Sequence, residues 1–197
     1  MSVATKLDEK RHLTYEDYIK WDTPGERWEL IDGEAYAMAS PNAEHQRISR
    51  RLARKLYGAF PEGGRCEVFV APFDVRLKAR RRNVKDDTVV QSDLLVVCDK
   101  AKIDKKSIVG APDMVIEIWS PSNTSRERLV KLMKYRDAGV HEIWFVDPES
   151  KTVQVFCQGE DGTYDIDEYG EGDQIPVGIL EGFVISCDDV FEGGDPT

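Results

Sequence analysis

The chain has 197 residues and a net charge of −10, and 41% of its residues are hydrophobic. These values fit one soluble globular domain over residues 1–197 with a core at about 12–190, and no apolar run resembles a signal peptide or the ~20 residues that span a membrane. The widely spaced cysteines argue against a zinc ribbon or disulfide framework and favour free thiols in a reducing cytoplasm: Cys66, Cys98, Cys157 and Cys187.

The first third of the chain predicts a short helix, a hairpin and a longer helix. The segment TYED at 14–17 has the spacing of a capping box. Asp32-Gly33 lies between two runs of alternating apolar residues, as in a type I′ hairpin. Residues 41–60 have apolar side chains at helical spacing. This longer helix carries its apolar face on Ile48, Leu52, Leu56 and Ala59.

Four β-branched and apolar segments then predict strands. They lie at 67–77, 88–97, 113–120 and 142–147. Between the last two, Thr124 or Ser125 can cap a helix that ends at Gly139. A strand, a helix and a strand of this length form a βαβ crossover, so the two strands are expected to be parallel neighbours.

Two further strands on either side of GEDG at 159–162 predict a C-terminal hairpin. Together the elements predict an α/β fold with a mixed central sheet flanked by helices. An N-terminal helix and hairpin precede this sheet, and the C-terminal hairpin follows it.

Two acidic residues interrupt strands that are otherwise apolar. Glu117 stands between two isoleucines in MVIEIW, and Asp93 interrupts TVVQSDLLVV. If these strands are neighbours, the two carboxylates share one face of the sheet, and both stay ionised only beside a cation. Oxygen ligands select hard ions, so we predict that the pair holds Mg²⁺ or Mn²⁺. The alternative is structural, with each carboxylate paired to an arginine or capping a loop.

Lys131 is the candidate cation beside this pair. The strand runs about 10 Å from Glu117 to Ser120, and the helix returns about 9 Å from Ser125 to Lys131. Lys131 therefore comes back to the depth of Glu117, where it could position or activate the water that attacks a phosphodiester. Alternatively, Lys131 forms an exposed i,i+4 pair with Glu127.

Three other residues are accessory candidates. Asp74, on the strand before Asp93, is predicted to be a third metal ligand, or else a residue at a strand bend. His45 shares the apolar stripe of its helix, where a structural histidine is the commoner outcome. Glu29 is predicted to be a hairpin residue, with a smaller prospect of lining the same cleft.

Positive charge is concentrated in one part of the chain. Residues 47–85 hold twelve lysines and arginines against three acids, whereas residues 142–197 hold fifteen acids against one lysine. This separation is a reason to look for a polyanion site on the basic part, where arginine suits bidentate phosphate binding, although on charge alone two solvated faces are the commoner outcome. The alternative is a solvated helix face and an exposed hairpin tip. The candidates for DNA contact are Arg47, Arg50, Arg51, Arg54, Arg80, Arg81 and Arg82.

The chain resembles a large bacterial restriction-endonuclease-like family within the PD-(D/E)XK nuclease superfamily. The segments that carry the resemblance are RWELIDGEAYAMASPNAEHQRI, APFDVRL, QSDLLVV and GAPDMVIEIWSPSNTSRERLVKLMKYRDAGVHEIWFVDP, and it covers nearly all of 12–190. It implies an αβββαβ core and Mg²⁺-dependent cleavage of DNA, with Asp93 as the motif aspartate and Glu117 as the second motif acid. It also includes His45, which therefore stays a site candidate.

The chain departs from the superfamily pattern at two positions. Ser92 stands before the motif aspartate, where proline is usual; this change concerns rigidity and removes no ligand. Trp119 stands where the motif lysine is expected. In the family that lysine is thought to have moved to the next helix, which matches Lys131.

The combined prediction is a cytoplasmic endonuclease that hydrolyses DNA with Mg²⁺. A homodimer is expected, because two symmetric active sites can cut both strands of a duplex. Trp119 and the acidic total favour an alternative, a DNA-binding or interaction module without catalysis. A third possibility is metal-dependent hydrolysis of another phosphate ester.

Overall fold

The computed structural model describes residues 11–21, 26–78, 87–121 and 123–192. Its helices are α1 (Tyr15–Tyr18), α2 (Ala43–Ala59), α3 (Ser125–Ala138) and α4 (Cys187–Phe191), with a short 3₁₀ helix at Lys100–Lys102. Its strands are β1 (Trp28–Ile31), β2 (Glu34–Ala37), β3 (Glu67–Val70), β4 (Asp74–Arg76), β5 (Val89–Val90), β6 (Leu94–Val97), β7 (Ser107–Val109), β8 (Met114–Ile118), β9 (Glu142–Asp147), β10 (Thr152–Gln158), β11 (Tyr164–Tyr169), β12 (Gln174–Pro176) and β13 (Val184–Ser186).

The strands form one large mixed sheet and two smaller sheets. The main sheet has the order β11-β10-β9-β8-β6-β3, the second sheet has the order β2-β1-β5-β4-β7, and β12 pairs with β13. Strands β8 and β9 are parallel, and α3 connects them. The elements α2, β3, β6, β8, α3 and β9 follow one another in the predicted order αβββαβ, so the predicted fold class is confirmed.

The central strands β6, β8 and β9 of the main sheet are buried on both faces, which explains their nearly continuous apolar runs. On one face, Leu94 and Ile116 belong to a core that includes the apolar stripe of α2. On the other face, Leu95 and Val115 pack in a second core with residues of α3 and of the second sheet. Alternate residues of β6 and β8 therefore face opposite layers of the molecule.

Local signals at the ends of helices and turns act as predicted. The Thr124 hydroxyl accepts the Glu127 N–H in a capping box at the start of α3, and Gly139 ends the helix with a φ of 82°. Asp32 and Gly33 have φ values of 52° and 78° in the turn between β1 and β2, as a type I′ turn requires. The helix predicted at 41–60 begins after the cap Asn42.

Two predicted strands are each divided in the structure. The segment 67–77 forms β3 in the main sheet and β4 in the second sheet, with a cis Ala71–Pro72 bond between them. The segment 88–97 likewise forms β5 in the second sheet and β6 in the main sheet. β-Branched and apolar residues flank both breaks, although Val70 and Pro72 are exposed where the chain makes the first crossing from one sheet to the other. Asp93 therefore lies at the entrance of β6 and not at the centre of a strand.

The prediction of free cysteines is wrong for one pair. Cys66 and Cys98 form a disulfide, whereas Cys157 and Cys187 are free. Glu67 pairs with Val97 in the antiparallel ladder of β3 and β6, and the same register continued by one residue sets Cys66 opposite Cys98. The 32-residue separation in sequence hides this proximity.

None of the helices in the described part of the chain is long and apolar enough to cross a membrane. Arg80, Arg81 and Arg82, which the sequence suggested as DNA contacts, lie outside the described residues.

Candidate active site

Asp93 and Glu117 come together on neighbouring strands. Leu94 pairs with Ile116 between β6 and β8, and this register continued by one residue sets Asp93 opposite Glu117. The backbone N–H of Ile118 donates to Asp93 Oδ2 at 2.8 Å, which holds the carboxylate against β8. Both side chains line one cavity, so the predicted convergence of the two acidic residues is what the structure contains.

Glu117 is buried, with 4% of its surface exposed. Lys131 Nζ lies 3.1 Å from both Oε1 and Oε2 of Glu117, and the phenol of Tyr135 donates a short hydrogen bond to Oε1. Burial raises the pKa of Glu117 to about 7, although the ammonium of Lys131 opposes the rise. The negative charge of Asp93 adds to the rise. Glu117 thus changes its protonation state near neutral pH.

Lys131 lies inside the molecule, as the length argument predicted, with 12% of its side chain exposed. Its Nζ also reaches Glu29 Oε1 at 2.9 Å. Burial lowers the pKa of Lys131, but the charges of Glu117 and Glu29 outweigh this effect and hold the pKa above its usual value. Lys131 is therefore a fixed cation at neutral pH. Glu127 does not pair with it but closes the capping box of α3.

Tyr135 follows Lys131 by one helical turn and faces the same carboxylate. Its hydroxyl lies 2.9 Å from Ser92 Oγ as well as next to Glu117. Burial and the nearby charge of Glu117 raise the pKa of Tyr135 well above its usual value, so the phenol remains a hydrogen-bond donor. Ser92, which replaces the usual proline of the motif, thus contributes a side-chain contact that proline lacks.

Glu29 enters the site from β1 of the second sheet. Its Oε1 accepts the backbone N–H of Gln91 at 2.9 Å in addition to the ion pair with Lys131. The side chain of Gln91 in turn donates to Asp74 Oδ1 at 2.9 Å, and Tyr18 donates to the same oxygen at 2.9 Å. Asp74 does not line the cavity that contains Asp93 and Glu117. The structure therefore does not bring Asp74 to the pair as a third ligand.

His45 lies in the first turn of α2, against Asp93. Its Nε2 is 3.1 Å from Asp93 Oδ2, and the cap residue Asn42 fixes the helix start by accepting the His45 backbone N–H. His45 Nδ1 is buried and has no hydrogen-bond partner among the described residues. The histidine is thus a neighbour of the candidate site and not a side chain of the core alone.

A cavity of about 590 Å³ is lined by the site residues Glu29, His45, Asp93, Glu117 and Lys131. Apolar and aromatic side chains such as Ile118, Trp119 and Val130 form part of its wall. Trp119 is held by Phe145, with the ring centroids 4.6 Å apart, so the residue in place of the motif lysine has a packing role. A second cavity of about 240 Å³ adjoins the first and shares Arg27, Pro41, His45 and Asp93 with it.

The four predicted arginines of α2 have different environments. Arg51 donates to the backbone carbonyl of Phe191 at 2.6 Å, so its guanidinium group holds α4 in place. Arg47 is exposed and pairs with Glu44 at 3.2 Å. Arg50 and Arg54 are exposed, and neither forms an ion pair with another described residue. Arg50 lines the smaller of the two cavities described above.

The donor set fits a hard divalent cation bound by few protein ligands. Glu29, Asp93 and Glu117 bring three carboxylates to the cavity, and Lys131 brings one ammonium, so ionisation of all three acids leaves two surplus negative charges. Within the described ranges, no group of three or more His, Cys, Asp or Glu side chains has metal-binding geometry. Mg²⁺ is commonly held by one or two carboxylates together with water and substrate phosphates. Of the three carboxylates, Asp93 and Glu117 lie opposite each other on β6 and β8, whereas Glu29 is held by the Gln91 N–H and by Lys131. Asp93 and Glu117 are therefore the two carboxylates placed to share an ion.

Sequence reasoning gave too little weight to three residues. Arg27 and Glu29 are two positions apart at the start of β1, so their side chains lie on the same side of the chain, and both line the larger cavity. Tyr135 contacts Glu117 directly, and its i+4 spacing from Lys131 is a signal that places both residues on one helix face. For Arg27, no comparable signal exists, because the second sheet that positions it forms from strands distant in sequence.

The chain is similar to a protein family, to a curated relative and to a solved structure. A family model described as "Uma2: Putative restriction endonuclease" matches residues 15–188. A curated relative, "Uncharacterized protein slr1290" of Synechocystis sp., is 25% identical over 183 residues, which are 92% of each chain. A crystal structure described as "a putative nuclease belonging to DUF820" from Anabaena variabilis superposes with a TM-score of 0.75 and 18% identity, covering 92% of this chain and 98% of that chain. At this identity the last likeness supports the fold alone.

Proposed function

The chain belongs to the Uma2 family of restriction-endonuclease-like proteins, and from this membership we propose that it is a Mg²⁺-dependent nuclease that hydrolyses phosphodiester bonds of DNA. One observation carries the proposal beyond the family. Asp93 and Glu117 face each other from adjacent strands beside the ammonium of Lys131, in a cavity large enough to admit a nucleotide. Carboxylates that converge beside a cation in a recessed cavity are typical of catalytic centres.

Asp93 and Glu117 would hold the ion, which we propose to be Mg²⁺, with Mn²⁺ as the alternative hard cation. When bound, such an ion lowers the pKa of a coordinated water and stabilises negative charge on the phosphate. In hydrolysis the water oxygen bonds to phosphorus, one P–O ester bond breaks, and the products are a phosphate monoester and a hydroxyl group. The attacking water releases a proton to solvent, and the leaving oxygen takes up a proton from solvent to become that hydroxyl group.

Lys131 would act as a cation in this reaction and not as a base, because its pKa is held above the usual lysine value. A permanent ammonium can donate hydrogen bonds to the attacking water or to a phosphate oxygen as negative charge develops there. Glu29 and Tyr135 touch Lys131 and Glu117 respectively. We assign both of them the role of positioning residues.

Contacts with the rest of the DNA would come from exposed cations beside the cavities. Arg50 and Arg54 have side chains free of ion pairs within the described part of the chain. We leave Arg51 out of this set, because backbone carbonyls of α4 occupy its guanidinium group. The proposal includes a homodimer in the cytoplasm, where two active sites would meet the two strands of a duplex. Light scattering at several protein concentrations tests the dimer.

The decisive experiment is plasmid cleavage with Mg²⁺, with EDTA, and with isosteric variants. Wild-type protein is expected to nick or linearise supercoiled DNA only with the metal present, and Asp93→Asn and Glu117→Gln are expected to abolish cleavage. Asp74→Asn is the matched control, because Asp74 lies outside the cavity, and it should retain activity. Cleavage that does not need a metal would overturn the proposal. So would cleavage by the Asp93→Asn and Glu117→Gln variants at the rate of the wild-type protein.

A DNA-binding module without catalysis is the second candidate, and one observation favours it. Lys131 already contacts both oxygens of Glu117, so an incoming ion must displace or share this ammonium. In that case DNA binding would persist unchanged in EDTA and in both acid variants, while plasmid cleavage would be absent in every protein. Turnover of another phosphate ester without DNA affinity would instead identify a different phosphoesterase.

A further inference from the structure

The smaller cavity is a groove that leads away from Asp93 along α2. Helical spacing places one stripe of α2 along its wall, next to the buried apolar stripe of the same helix. The opposite wall is the end of β3. The residues of the stripe are Gln46, Ser49, Arg50, Ala53 and Tyr57, and those of the opposite wall are Val70 and Ala71.

The groove is continuous with the candidate active site. His45 and Asp93 stand between the two cavities and line both of them. A polymer whose phosphate lies at Asp93 and Glu117 can therefore continue from the larger cavity past these side chains into the groove. The groove of about 240 Å³ is the space that receives its next unit in this direction.

The chemistry of the groove suits a nucleotide with an unpaired base. Tyr57 is 49% exposed, although its ring is large and apolar. Aromatic rings on such walls stack with bases, and only unstacked bases present their faces to them. A duplex keeps its bases stacked inside and offers a groove wall only phosphates and base edges. Ala53 and Ser49 keep the adjoining wall low enough for a base to approach.

Cationic side chains are placed for the phosphates of the same strand. Arg50 projects from the stripe about two helical turns before Tyr57 and forms no ion pair with a described residue. Arg27 lines both cavities; Gln91 anchors its Nε at 3.0 Å, while its Nη2 is buried without a partner in the described structure. A buried guanidinium nitrogen without an acceptor is costly, and a bound phosphate oxygen would satisfy it.

We infer that this groove, lined by Arg27, Arg50 and Tyr57, binds an unpaired DNA strand next to the cleaved phosphate. The enzyme would then prefer single-stranded DNA, or a junction with a single-stranded extension, over a continuous duplex. The identity of the polymer rests on the proposed function. The preference for an unpaired strand rests on the groove itself.

Binding measured without cleavage tests the inference. A fluorescein-labelled oligonucleotide of mixed sequence, alone or annealed to its complement, is titrated in EDTA and in Ca²⁺ and followed by fluorescence anisotropy. Wild-type protein is expected to bind the single strand more tightly than the duplex. Tyr57→Ala and Arg50→Ala should each weaken single-strand binding by roughly tenfold, whereas Tyr57→Phe should bind as wild type does.

Arg54→Ala is the matched control, since Arg54 is exposed on the same helix but does not line the groove. It should lose less affinity than Arg50→Ala. Tighter duplex binding, equal losses in the two arginine variants, or unchanged binding in Tyr57→Ala would each overturn the inference. Single-strand binding that depends on Tyr57 and Arg50 in a protein that cleaves nothing would overturn the proposed catalysis and leave the groove assignment intact.

Discussion

Lys131 Nζ lies 2.9 Å from Glu29 and 3.1 Å from Glu117, so one ammonium joins carboxylates from two different sheets. Glu29 belongs to β1 of the second sheet and Glu117 to β8 of the main sheet. The lysine comes from α3, whose Tyr135 and Ala138 pack in one core with residues of both sheets. The contact among Lys131, Glu29 and Glu117 links the second sheet to the main sheet. It also places a permanent positive charge beside Glu117, where the proposed reaction needs one.

Replacing Lys131 should separate its structural and chemical roles. Lys131→Ala leaves two buried carboxylates without their cation, and we expect a loss of about 3–5 kcal/mol in the free energy of unfolding. Lys131→Met combined with Glu29→Gln should recover part of that stability, because the double change removes a buried charge of each sign. Urea denaturation measures both. Neither Lys131→Ala nor the double variant should cleave DNA, because both lack the ammonium. Cleavage by the double variant would contradict a role for the ammonium.

Metal binding should depend on pH through Glu117. Its pKa is about 7 in the folded protein against 4.5 for the unperturbed group, and only the ionised carboxylate binds a cation. Mg²⁺ affinity is therefore expected to fall by up to about tenfold per pH unit below pH 7 and to level off above it. Calorimetric titration between pH 5.5 and 8.5 measures this. An affinity independent of pH would show that another group holds the ion.

The raised pKa of Glu117 also predicts that, without metal, the stability of the folded protein decreases as pH rises. Because the folded protein binds the Glu117 proton more tightly than the unfolded chain, this group's contribution to stability is full below pH 4.5 and is lost as pH rises to about 7. In Glu117→Gln this component should disappear. Urea denaturation in EDTA at pH 5 and pH 7.5 compares the two proteins, and an identical pH dependence in both would contradict the assignment.

Tyr135→Phe should shift the pH profile of cleavage towards higher pH. The phenol donates to Glu117 and thereby lowers its pKa, so its removal favours the protonated acid. A reduced kcat with little change in KM for DNA is expected, with a stability loss of about 1.5–3 kcal/mol for the hydrogen bond. Ser92→Ala, which removes only the second contact of the phenol, should have a smaller effect in the same direction. A loss of stability without a shifted profile would limit Tyr135 to packing.

Arg51 is expected to matter for folding and not for DNA binding. Arg51→Ala removes hydrogen bonds to the Val190 and Phe191 carbonyls and should cost about 1–3 kcal/mol of stability. Arg54→Ala, on the exposed side of the same helix, should leave stability unchanged. Thermal denaturation and DNA binding measured on both variants compare the roles. Weaker DNA binding by a fully stable Arg51→Ala protein would contradict this assignment.

Local patterns in the sequence were enough for the central acids and for most of the elements, but not for β7, β12, β13 or α4. A carboxylate between two isoleucines is costly in a core, which is why Glu117 could be singled out without coordinates. The helical rise gave the depth of Lys131 relative to Glu117. The breaks in the two divided strands could not be predicted, because β-branched and apolar residues flank both of them and the difference lies in the partner strands.

The sequence by itself determined which residues are apolar, where α2 and α3 begin and end, and that Glu117 lies in the core, since these depend on neighbours within a few positions. Only the tertiary structure decided what each polar group faces. In the structure Lys131 contacts Glu29 as well as Glu117, and Cys66 is bonded to Cys98. Arg51 donates to carbonyls of α4, and Asp74 lies outside the larger cavity. Such partners come from distant segments, and their contacts depend on sheet register and layer packing, which no local pattern encodes.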